Sequence, residues 1–113
     1  MPSFAILMRE DDDAWERLPA AEQEAISARY QAWVEELKRT SVFQGGTALG
    51  SPGTVLRRAA GKVAEAPFAE TKQVLTGWLL VTAKDLPDAV RIARGCPALL
   101  HGETVIVRPA GGA

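Results

Sequence analysis

Several things are scarce in these 113 residues, and each scarcity narrows the reading. A single cysteine, Cys96, forms no internal disulfide, which fits a reducing compartment. One histidine, His101, cannot build a zinc site with one thiol, so no metal centre is expected. Basic residues do not exceed acidic ones: the net charge is −1, and nucleic-acid binding calls for concentrated Lys and Arg. No apolar run approaches the roughly 20 residues of a membrane span, and the start of the chain lacks a signal peptide's basic and apolar regions. The expected address is the cytoplasm, with neither membrane nor nucleic acid as partner. No Gly-x-Ser-x-Gly elbow or phosphate-cradling Gly-Lys-Ser/Thr occurs, so the expected cofactor content is none.

What is present is a soluble, globular composition, 47% apolar and 24% charged, of a length suited to one domain spanning residues 1–113. "SFAILMR" (3–9) reads as a first strand, broken by the acids Glu10 to Asp13. From Pro19, a proline suited to a helix start, Ala25, Ile26, Tyr30, Trp33, Val34 and Leu37 form one helical stripe. Gly45 and Gly46 bend or bulge a strand beginning at Val42. Residues 54–66 read as a hairpin turning at Gly61-Lys62. "GWLLVTAKD" (77–85) is apolar on both alternating sets, as in a strand covered on both faces. Asp85 caps a second helix carrying Leu86, Ala89, Val90 and Ala93, closed by Gly95 and Pro97. A last strand runs from Glu103 to Pro109, and residues 110–113 form a frayed tail.

This order, β-α-β-(hairpin)-β-α-β, is that of an α+β ferredoxin-like unit with both helices on one sheet face. The other face, including one side of the 77–85 strand, then needs a cover. A second copy of the chain is the simplest, which predicts a homodimer.

The stretch "PFAETKQVLTGWLLVTAKDLPDAVRIA", followed by "CPA" and "VIVRP", resembles the YCII-related family and in particular its DGPF subgroup. The motif residues are Pro67, Phe68, Ala69, Glu70, Thr71 and Lys72. The resemblance implies a dimeric α+β barrel. It also implies an accessory or regulatory protein of uncharacterised function, associated with extracytoplasmic-function sigma factors by the family likeness only. Three positions depart from the family. Glu65-Ala66 replaces the Asp-Gly of the motif, Ile106 replaces a Glu of the last strand, and the N-terminal half lacks the His of relatives with a proposed His-Asp pair.

Among candidate sites, His101 is the one side chain whose unperturbed titration lies near neutrality. As a general base it needs a carboxylate, and Glu70, Glu103 and Asp85 are the candidates. The preferred reading is a polar loop residue. Cys96, at a helix carboxyl end, reads as a structural thiol. The acids 10–13 read as a solvated loop, and Phe68 as an architectural anchor held by Pro67. A cleft between helix and sheet is expected to be lined by Trp33, Phe68 and Trp78 with His101 and Arg108, or Arg57 and Arg58, at its rim. It would suit a small aromatic or acidic ligand. Two functions compete: an accessory protein with His101 in solvent, or a small barrel enzyme of isomerase, lyase or oxygenase type with His101 against a carboxylate.

Overall fold

The computed structural model describes residues 1–10, 14–50, 53–67 and 74–111. Its elements, in chain order, are β1 (Ser3–Glu10), α1 (Ala14–Arg17), α2 (Ala20–Arg39), β2 (Phe43–Ala48), β3 (Thr54–Ala59), β4 (Lys62–Pro67), β5 (Val74–Thr82), α3 (Leu86–Ala93), a 3-10 turn (Pro97–His101) and β6 (Thr104–Pro109). A four-stranded antiparallel sheet runs β2-β5-β1-β6, and β3 and β4 form a separate two-stranded sheet. With that hairpin set aside, the fourth, first, third and second strands lie side by side. The chain is therefore α+β and ferredoxin-like, as its element order predicts.

Alternation along the strands sorts their side chains between two faces. Phe4, Ile6 and Met8 of β1 and Leu79 and Val81 of β5 are buried beneath the helices. Their register partners Val105 and Val107 of β6 pack on the same cluster. From above, Leu37 of α2 and Ala89, Ile92 and Ala93 of α3 close this core, with Tyr30, Trp33 and Val34 packed at its side. The α2 stripe is shorter than its periodicity implies, since Ala25 is exposed. The opposite sheet face carries the row Thr47, Trp78, Leu7 and Ile106 and, one step along, Leu80, Ala5 and Arg108. Trp78 is 39% exposed, so this face is apolar and open.

Local chemistry explains the ends. Pro19, suited to the first helical position, stands one residue earlier as the cap of α2, with the extended backbone of a capping residue. At α3 the Asp85 carboxylate accepts from Asp88 N at 2.9 Å, and the Asp88 carboxylate accepts from Lys84 N at 3.1 Å. This reciprocal cap, with Arg91 also bonded to Asp88, holds the Asp88 carboxyl below its usual range. The hairpin turns at Ala60-Gly61, with Ala59 opposite Lys62, one residue before the expected Gly61-Lys62. Both turn residues have positive φ, 51° and 77°, which suits the right-handed twist of the strands. Beyond β6, Ala110 N donates to Ser3 O at 2.9 Å, which ties the first residue of the expected tail to β1.

Candidate functional site

The stretch after α3 was expected to be a loop and instead winds into a 3-10 turn. Pro97 starts it, and Cys96 N donates to Ala93 O at 2.9 Å, tying the turn to the end of α3. Gly102 ends it at φ 85°, a left-handed conformation that glycine adopts without strain. Glu103 N then returns to Ala98 O at 3.2 Å. This reversal turns the side chains on either side of Gly102 inward together.

His101 is consequently not in solvent. Its side chain is 3% exposed and that of Glu103 is 5% exposed, and His101 Nε2 lies 3.1 Å from Glu103 Oε2. The direction of the ring N–H misses the oxygen, so neither ring nitrogen has a formed hydrogen bond. The pair is in close contact but not aligned, a state in which catalytic groups are often found before a ligand arrives. The other Glu103 oxygen accepts a hydrogen bond from Thr76 Oγ1. Thr76 sits where the β1–β5 register slips, so the bulge directs its hydroxyl to Glu103. Trp15 of α1 packs against the imidazole, with ring centroids 5.5 Å apart and planes tilted by 58°. Glu10 fixes Trp15 in turn, accepting from its backbone N at 2.6 Å.

His101 and Glu103 line a cavity of about 790 Å³ between α2 and the β2–β5 side of the sheet. Met8, Val34, Phe43 and Leu79 give it an apolar floor, and Tyr30 and Thr76 add hydroxyls. Burial, then the nearby Cys96 and Glu103, push the Tyr30 phenol well above its usual range, so it remains a neutral donor. Burial likewise raises the Cys96 thiol, which keeps it protonated, as befits a structural cysteine.

Most of the aromatic cleft expected from the sequence is not assembled. Trp33 points to the other side of α2, against Gly95, where a Cβ would stand 3.0 Å from its indole nitrogen. Trp78 and Arg108 lie on the opposite sheet face, because alternation places them out of phase with Leu79 and Val107. Arg57 and Arg58 are exposed on the hairpin. Of the residues expected in the pocket, His101 alone is found there among the described residues. Phe68 through Lys72, which include the motif core and Glu70, lie outside the described residues, as do Asp11 to Asp13. Trp15, Tyr30 and Thr76 were not anticipated in this site. The legible signal was His-Gly-Glu entering a strand, whose i, i+2 spacing favours a shared side.

The YCII-related domain model matches residues 3–109. The chain belongs to the YCII-related family. No curated protein matches it. In this YCII-related chain no histidine lies in the N-terminal half, and the imidazole comes from the 3-10 turn before the last strand. The chemistry therefore has to be argued from the cavity itself. No group of three or more His, Cys, Asp or Glu side chains among the described residues is arranged to hold a metal ion. No helix among them is long and apolar enough to cross a membrane.

Proposed function

We propose that the cavity is an acid–base site acting on a small molecule, with His101 as the proton-transfer group and Glu103 as its partner. One observation carries this reading: a buried imidazole 3.1 Å from a buried carboxylate in the wall of a cavity. A rotation of the imidazole as a ligand enters would align Nε2–H with Glu103 and leave Nδ1 with the lone pair that takes a proton from an acidic position of the ligand. The Glu103 carboxylate stabilises the imidazolium so formed; in an isomerisation the proton returns to a second position of the ligand, and in an elimination it passes to the departing group as the bond to that group breaks. The reaction class is an isomerisation or elimination, in which the site supplies and recovers the proton with no change of oxidation state. The accessory reading predicts His101 in solvent, and its burial beside Glu103 favours the acid–base alternative.

The test is α-proton exchange in D₂O across a set of small carbonyl compounds, followed by proton NMR with wild type, His101→Gln and Glu103→Gln. A compound whose exchange is accelerated by wild type should lose about 10²–10⁴-fold of that acceleration in His101→Gln. If compounds that shift the His101 imidazole signals of wild type exchange equally fast with all three proteins, the acid–base reading is wrong.

We further propose that two chains pair through the open sheet face as a homodimer. Leu7, Trp78, Leu80 and Ile106 offer it an apolar surface, and the β3–β4 arm adds Leu56 and Val63, 62% and 59% exposed. A two-stranded arm is marginal by itself and gains from packing on another surface. Sedimentation at micromolar concentration should give a dimer that Trp78→Glu dissociates. A wild-type monomer under those conditions would remove this proposal.

A further inference from the structure

The charged side chains lining the cavity are unequal in sign. Glu10, Glu16, Glu35 and Glu103 contribute carboxylates, against the single ammonium of Lys38 among the described lining residues. The carboxylates alone would describe a solvated acidic surface. Two further observations point to a ligand. His101 is almost wholly buried in the same wall, with both ring nitrogens lacking a hydrogen-bond partner. Trp15, Tyr30 and Phe43 place three aromatic rings along the lining.

One of those rings already serves a cation. Lys38 Nζ lies 5.6 Å from the Phe43 ring centroid, and Glu35 Oε1 is 3.6 Å from the same nitrogen. The wall thus has one cation between an aromatic ring and a carboxylate, at the exposed end of the lining where both charged side chains are more than half exposed. Glu10 and Trp15 repeat these components toward the His101 end, where no lysine or arginine lines the cavity among the described residues.

From this we infer that the cavity selects an organic cation, an amine or guanidinium carried on an apolar body, and rejects carboxylates and phosphates. The inference rests on the reading of the cavity as a small-molecule site and assigns its ligand class. The cationic head pairs with Glu10 and Glu16, the apolar body lies on Met8, Phe43 and Leu79, and its reacting position faces His101. An anionic ligand would meet Glu10, Glu16 and Glu35 along the lining and Glu103 beside the imidazole itself. This replaces the acidic ligand expected with arginines at the rim, since Arg57, Arg58 and Arg108 do not line the cavity, and keeps the aromatic one.

Three probes of one shape separate the outcomes: phenethylammonium, phenylacetamide and phenylacetate, titrated into the full chain while the His101 imidazole signals are followed by NMR. The cation should bind at least tenfold more tightly than the anion, and the gap should narrow as salt screens the carboxylates. Glu16→Gln should weaken the cation several-fold and leave the neutral amide unchanged. Lys38→Gln, which removes a like charge, should strengthen it. Phenylacetate binding as well as the cation, or unaffected cation binding in both variants, would overturn the cation assignment while leaving the cavity as a site. Failure of all three probes to move the imidazole signals at millimolar concentration would overturn both the assignment and the reading beneath it.

Discussion

Gly46→Ala is expected to destabilise the protein by about 3–5 kcal/mol, the sum of a backbone penalty and a steric one. Gly46 has φ 154°, a region that residues with a Cβ rarely enter. A Cβ there would stand 2.5 Å from the Trp78 carbonyl oxygen and 2.9 Å from Leu79 Cα. Both are backbone atoms of the neighbouring strand β5, and neither yields as the tip of a flexible side chain does. Gly46 also lines the cavity, so relief by separating β2 from β5 would open its wall. The control is Gly45→Ala, where φ is 158° but nothing lies within 4 Å of the added Cβ. It should cost about 1–3 kcal/mol, the backbone part alone. Denaturant melts of the two variants beside wild type measure the difference. Equal midpoints for the two would show that β2 does not approach β5 so closely.

Ile6→Ala is expected to cost about 2–5 kcal/mol, towards the upper end. Ile6 is fully buried in the central strand, opposite Leu79 on one side and Val107 on the other. Rigid sheet neighbours on both flanks and helices above give the vacated space little means of collapsing. The adjacent Leu7 faces the open side of the sheet, so Leu7→Ala should cost much less in the isolated chain. Thermal unfolding of both variants checks the pair. A Leu7→Ala loss equal to that of Ile6→Ala would mean that the two faces are equally buried.

Much of this architecture was readable before any coordinates. The spacing of Tyr30, Trp33, Val34 and Leu37 marked α2, and the Asp85 cap and closing Gly95 bounded α3. The double alternation of β5 foretold a sheet with one face beneath helices and one face apolar. The hairpin was legible to within one residue of its turn, because Gly61 needed positive φ but gave no indication that Ala60 would share it. The site was less legible. His101 looked like a loop residue because a five-residue 3-10 turn is too short to display a period. The short helix α1 was hidden behind the acidic run for the same reason.

By itself, then, the sequence determined the order of the main strands and helices and the family. Each of these is carried by local spacing or by a contiguous motif. Only the tertiary structure decided that Glu103, and not Asp85, meets His101, that Thr76 binds that carboxylate, and that Trp15 covers the imidazole. It also placed Trp33 against Gly95, and Trp78 and Arg108 together on the open sheet face, all three away from the cavity. The physical reason is that periodicity records whether a side chain leaves water. Which distant groups it then meets depends on strand register, on a bulge in β5, and on the reversal at Gly102.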